Sequence, residues 1–310
     1  MDNIYAEAKS PLDRGSKHYN DQLEAEVFRL RVRKDAQTKF TNDETAHVEI
    51  PTGVSIDDPM PPEPVELLPG VILAHGATGV IGQKEVGKSS LALEVQVSLL
   101  TGEPLWGSII PTKTVNKTVH FLAEHTCYNL MGLYQRMSFP HLGGRLKVYG
   151  PEHLGGNKLL VSSGLRREAA VSMYKKLAEG AGLVVFDPLG SYIQGESSEN
   201  DNAMMRQIID AFIEIAQSTE AACLVLGHQG KPTFFQGKQI KKTLYATRGA
   251  SAAEDAMTGV LYLDRETGTS IDGKDVYLLK PVHWKGFKAP TFTLLRDKKT
   301  VRNLLYAKKS

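Results

Sequence analysis

The sequence predicts an α/β fold: a mostly parallel, twisted sheet with flanking helices and antiparallel strands at its C-terminal end. Three observations carry this. Residues 82–89 read GQKEVGKS and fit G-x-x-x-x-G-K-[ST] at every fixed position, a loop that joins a strand to a helix. From about residue 65, short apolar runs alternate with helical patterns, as crossovers between parallel strands require. Beyond residue 258 the pattern changes to short strands separated by turn signals such as Asp272-Gly273.

The chain has 310 residues, 41% hydrophobic and 23% charged, the balance of a globular protein with a sizeable core. The apolar runs are far short of a membrane span, and MDNIYAEAKS has no signal-peptide core, so the expectation is a cytoplasmic protein with no membrane partner. Cys127 and Cys223 have no metal-type spacing and read as buried thiols in a reducing compartment. The net charge of +2 hides an asymmetry. Residues 1–67 hold eight Lys/Arg against fourteen Asp/Glu, and residues 231–310 hold sixteen against seven. A basic C-terminal third suits a polyanion such as nucleic acid, or simply a solvated basic face.

Taken in order, residues 1–64 form an N-terminal arm and linker, and residues 65–310 the main domain. Residues 1–17 are polar and aperiodic. Residues 18–39 read as a helix with a narrow stripe of Leu23, Val27, Leu30 and Val32, either docking on another subunit or standing as a solvated arm. The stretch PMPPEP over residues 59–64 resists helix and strand alike. A strand over 77–81 precedes the glycine-rich loop, and a helix over 90–100 follows, with Gly102 as its stop. Further strands are expected at 118–123, 146–148, 182–187 and 222–227, and helices at 128–137, 166–179 and 203–217. Short strands are expected at 259–264, 275–280, 291–295 and 301–306. No internal repeat is visible.

The glycine-rich loop specifies phosphate chemistry. Backbone N–H groups of a loop built from Gly82, Gln83, Lys84, Glu85, Val86 and Gly87, continuing into Lys88, Ser89 and Ser90, cradle a nucleotide's phosphates. Lys88 reaches the β- and γ-phosphates, and the Ser89 hydroxyl ligates Mg²⁺. Asp187 ends an apolar strand about 100 residues on and suits the second Mg²⁺ contact. Glu124 sits at the C-terminal end of the next strand, the edge where open α/β sheets bind ligands, and suits a base that activates water. His228 lies at the same edge, where a polar side chain can touch the γ-phosphate. Residues 231–247 interleave Lys231, Lys238, Lys241 and Lys242 with Phe234, Phe235 and Tyr245, a pattern suited to single-stranded nucleic acid. Arg248 follows, placed to act on a neighbouring subunit's γ-phosphate.

The runs GQKEVGKSSLALEVQVSLLTGEPLWG, FLAEH, LVVFDPLGSYI, SENDNAMMRQIIDAFIEIAQ, LVLGHQGKP and TRGASAAEDAMTGVLYLD, in that order, resemble the RecA-like ATPases of the plasmid RepA-type hexameric helicases. The resemblance covers about residues 62–310. It implies a RecA-like core using ATP and Mg²⁺, with Lys88, Ser89 and Asp187 at the phosphates and metal. It makes Glu124 the catalytic carboxylate, His228 the γ-phosphate sensor and Arg248 the arginine finger. It also implies a homo-oligomer, a ring hexamer that threads single-stranded DNA, with a replication initiator or primase as a further partner. Three positions depart from the family pattern. The sensor segment is Gly227-His228-Gln229-Gly230-Lys231 with a single His, Glu124 is followed by His125 rather than an acid, and Arg136 matches the family's second arginine only about one turn late.

The sequence therefore reads as a ring-forming ATPase motor on single-stranded DNA, a replicative helicase of plasmid or phage type. The rival is a regulatory or scaffold ATPase that binds nucleotide and oligomerises without unwinding. A small-molecule P-loop kinase is disfavoured, because the basic aromatic stretch has no use there.

Overall fold

The computed structural model describes residues 65–154, 165–192, 202–229, 234–235, 238–239, 251–284 and 289–306. The arm expected over residues 1–64 lies outside them, as do Lys231, Lys241, Lys242 and Arg248. A small antiparallel ribbon, β1 (Glu66–Leu68) and β2 (Ile72–Leu73), precedes the core. The first crossover is β3 (Ala77–Gly82), α1 (Lys88–Thr101) and β4 (Thr118–Leu122). Then come α2 (Cys127–Arg136), β5 (Leu146–Tyr149), α3 (Pro151–Leu154) and α4 (Leu165–Ala178). β6 (Leu183–Asp187) leads through a 3₁₀ turn, Leu189–Tyr192, towards α5 (Asn202–Gln217) and β7 (Ala222–His228). The C-terminal part holds β8 (Phe234–Phe235), β9 (Lys238–Gln239), α6 (Ser251–Ala256), β10 (Gly259–Ile271), β11 (Lys274–Trp284), β12 (Phe292–Arg296) and β13 (Asn303–Leu305).

Nine strands form one sheet in the order β13-β12-β11-β10-β3-β7-β6-β4-β5. Pairing is parallel from β10 through β5 and antiparallel from β10 through β13. This is the mixed α/β sheet expected from the sequence. Its parallel strands read as unbroken apolar runs because both faces are covered. On β6, Leu183 and Val185 pack with Leu91 and Val95 of α1, while Val184 and Phe186 pack with Tyr174 of α4 and Phe212 of α5. The Phe186 and Phe212 rings stack with centroids 3.8 Å apart.

α1 is buried nearly all round, so Leu91, Val95 and Leu99 at helical spacing are only part of its inward surface. Its buried polar groups are bonded internally: Gln96 Nε2 donates to Thr118 Oγ1 at 3.2 Å, and Ser98 Oγ to the Glu103 carbonyl at 2.6 Å. The helix ends at Gly102, as expected, with the Gly102 N–H returning to the Ser98 carbonyl.

The main departure from expectation is the hairpin of β10 and β11, 13 and 11 residues long where strands of about six were expected. Its turn is at Asp272-Gly273, with φ of 51° and 73°, the doubly positive pair of a type I′ turn. The second departure lies in the basic stretch, where no strand was expected. There β8 and β9 pair antiparallel, Phe234 opposite Gln239 and Phe235 opposite Lys238.

Candidate nucleotide site

The site lies at the C-terminal edge of the parallel strands, around β3, the strand after which the glycine-rich loop turns into α1. Gly87 adopts φ 94°, a left-handed conformation that an L side chain rarely takes. A Cβ there would also lie 1.8 Å from Nη1 of Arg296. A Cβ on Gly82 would lie 2.5 Å from the Leu263 carbonyl of β10, so Gly82 answers to tight packing and Gly87 to packing and turning alike. The Val86 side chain is buried in the core, and only its backbone belongs to the loop.

Lys88 Nζ is bonded to the carbonyls of Gly82 at 3.2 Å and Gln83 at 2.8 Å, and lies 3.2 Å from Nδ1 of His228. Burial drives its pKa down to about 8, against the opposing pull of the Asp187 and Glu124 charges. With the ammonium donating to Nδ1, the His228 proton sits on Nε2, which faces Glu124 Oε2 at 4.0 Å. The other Glu124 oxygen accepts a hydrogen bond from Ser191 of the 3₁₀ turn. His228 thus stands between the lysine and the acid.

Ser89 Oγ donates to Asp187 Oδ2 at 2.6 Å. His120 Nε2 lies 3.5 Å from the same carboxylate oxygen. His120 is fully buried, and its Nδ1 meets Gln96 Oε1 at 2.9 Å. Burial disfavours the Asp187 charge, but His120, Ser89 and Lys88 outweigh it and hold the carboxyl below its ordinary value. Two hard oxygen donors, one kept ionised, suit Mg²⁺. A cavity of about 340 Å³ joins these groups, lined by Lys84, Glu85, Ser90, Glu124, Asp187 and His228 among others.

The structure therefore brings together the loop residues, Asp187, Glu124 and His228 as expected. It adds three residues that the sequence reading did not single out. His120 was legible as a polar residue inside an apolar strand. Ser191 carried no signal. Arg296 of β12 donates through Nη1 to the Val86 carbonyl at 2.8 Å and through Nε to Asn303 Oδ1 at 3.0 Å, with its guanidinium 4.0 Å from the centre of the Tyr277 ring. Asn303 in turn donates from its backbone and side chain to Glu94 of α1, both at 2.6 Å. A buried polar chain thus runs from the back of the loop through two C-terminal strands to α1. Arg136 is tied to the carbonyls of Lys298 and Lys299, at 3.0 and 2.9 Å. Of the residues expected from sequence to bind nucleic acid, Phe234, Phe235 and Lys238 fall in β8 and β9.

A strand, a glycine-rich turn, a helix and two converging acids on a mostly parallel sheet define a P-loop nucleotide-binding protein. Comparison of the sequence with known families makes this specific: a family profile described as AAA domain matches residues 44–233, more than half of the chain. The chain belongs to that family and is an ATPase of the P-loop type, which implies nucleotide binding with Mg²⁺ as the usual companion ion. The match begins ahead of the boundary expected near residue 65. No curated protein matches the chain. Among the described residues, no helix is long and apolar enough to cross a membrane.

Proposed function

We propose that this protein is an ATP-driven, ring-forming motor on single-stranded DNA, a replicative helicase of the plasmid RepA type. The observation that carries the reading is the convergence of Lys88, Ser89, Asp187, Glu124 and His228 at one sheet edge. The chain continues from that edge, through β7, into the basic and aromatic stretch.

In this reading Lys88 exchanges its carbonyl partners for the β- and γ-phosphates of ATP. Ser89 and Asp187 would hold Mg²⁺, which would supply positive charge against the phosphates. Glu124, oriented by Ser191, takes the proton of the attacking water. His228 touches both Lys88 and Glu124, so loss of the γ-phosphate changes its surroundings and is passed along the chain to residues 231–247. Lys231, Lys238, Lys241 and Lys242 contact DNA phosphates and Phe234 and Phe235 stack on bases. Arg248 completes the site of a neighbouring subunit in a hexamer, with a replication initiator or primase as a further partner.

The test is ATP turnover with and without single-stranded DNA, alongside the mass of the assembly. DNA should stimulate turnover in a ring-sized species, and Glu124→Gln should bind ATP yet lose turnover by about 100-fold or more. Wild-type turnover in that variant would remove Glu124 from the mechanism. A regulatory or scaffold ATPase remains the second reading, favoured by one observation: Arg136, the nearest match to the family's second arginine, is bonded within its own chain. Strand displacement on a forked duplex separates the two.

A further inference from the structure

Cys127 lies 25 residues ahead of the adjacent pair Glu152 and His153, and the three come together where the start of α2 meets α3. One ligand atom from each lies within 4.8 Å of the others. Cys127 Sγ is 3.6 Å from His153 Nδ1, and that nitrogen is 3.8 Å from Glu152 Oε1. A tetrahedral zinc ion, with Zn–S of about 2.3 Å and Zn–N of about 2.0 Å, sets its sulfur and nitrogen ligands about 3.5 Å apart. The thiol–imidazole spacing therefore already matches one edge of such a site.

The surroundings agree. Glu152 accepts the Cys127 backbone N–H at 2.8 Å, which fixes the carboxylate beside the thiol. A Cβ on Gly150 would lie 2.4 Å from Glu152 Oε2, so that glycine keeps the space the carboxylate occupies. The Glu152 and His153 side chains are 40% and 52% exposed, which gives an ion a way in. Cys127 and His153 also line a cavity of about 440 Å³ with Leu130, Met131, Tyr134 and His141, leaving room for a fourth ligand.

We propose that Cys127, Glu152 and His153 form a binding site for a zinc-class divalent ion, separate from the Mg²⁺ position at Ser89 and Asp187. A thiolate, an imidazole and a carboxylate with one open position are a donor set for Zn²⁺, whereas Mg²⁺ prefers oxygen alone. The ion clamps the first residue of α2 to α3. Glu124 precedes Cys127 by three residues, so occupancy also restrains the segment that carries the proposed catalytic carboxylate.

The test is titration of the full chain with Co²⁺, a spectroscopic stand-in for Zn²⁺, in the absence of nucleotide. The expected result is one equivalent bound, with a thiolate-to-cobalt charge-transfer band and the visible absorption of tetrahedral coordination, both reversed by Zn²⁺. Cys127→Ser should lose the charge-transfer band, His153→Ala should weaken binding at least tenfold, and Cys223→Ala should behave as wild type. A wild-type titration without the thiolate band overturns the proposal whatever the variants do, and so does a band that survives Cys127→Ser or disappears with Cys223→Ala.

Discussion

Lys88 shows how far one side chain's environment can set a function. Its ammonium is mostly withdrawn from water, which brings its pKa to about 8 despite two nearby acids. Phosphate oxygens favour the charged form, so the pKa is higher in the nucleotide complex than in the free protein. Below pH 8 the lysine is charged in both states, and affinity for ATP should not depend on its titration. Above pH 8 the free protein has lost that proton and binding must take one up, so affinity should fall by up to about tenfold per pH unit. Fluorescent-nucleotide titrations between pH 7 and 9.5 would read this. Lys88→Met should bind weakly at every pH, with that slope absent. A wild-type affinity that stays level through this range would mean the ammonium is not desolvated. His120 makes the complementary point for Asp187: a buried imidazole beside the carboxylate, steadied by Gln96, helps keep it ionised where burial alone would not.

Among the elements, the C-terminal antiparallel strands matter most to the site although they contribute no residue to its cavity. β12 carries Arg296 beneath the loop, where it holds the Val86 carbonyl, and β13 carries Asn303, which bridges Arg296 to Glu94. Burial pushes the Glu94 carboxyl up, while the Asn303 and Trp106 donors and the Arg296 charge work against that rise. Arg296→Met fills the space but leaves the Val86 carbonyl and Asn303 Oδ1 without their donor. It should cost about 2–4 kcal/mol of stability and weaken nucleotide binding, because the loop loses its floor. Urea unfolding with and without ATP would check both effects. An unchanged midpoint and affinity would reduce the arginine to packing. The long hairpin of β10 and β11 was only half legible. Beyond Asp264 residues 265–270 read RETGTS, polar on both faces and mostly exposed, so no alternation marks the strand. Backbone pairing across the Asp272-Gly273 turn extends it.

At the scale of the molecule, nucleotide state and DNA binding should be coupled through β7. His228 ends that strand, and Lys238, Lys241 and Lys242 follow within fifteen residues. Replacing the three lysines with Ala should weaken single-stranded DNA binding and flatten its salt dependence, since fewer counterions are released. Basal ATP hydrolysis should persist, because the loop, Glu124 and Asp187 are untouched, while stimulation by DNA disappears. If the triple variant kept wild-type affinity, salt slope and stimulation, the basic stretch would be a solvated surface and the regulatory reading would lead.

The sequence by itself determined the architecture and the phosphate loop. Strands buried on both faces must be apolar throughout, and a phosphate-cradling loop must carry glycine and lysine at fixed spacing, so both leave marks that local reading can find. It also placed Asp187, Glu124 and His228 at strand ends, where topology delivers them to one edge. Only the tertiary structure decided which groups meet across the chain: His120 with Asp187, Ser191 with Glu124, Arg296 with the loop, and Cys127 with Glu152 and His153. These contacts depend on strand order and on how helices cross the sheet. No periodicity records them, because each residue's local pattern is satisfied whether or not its distant partner is there.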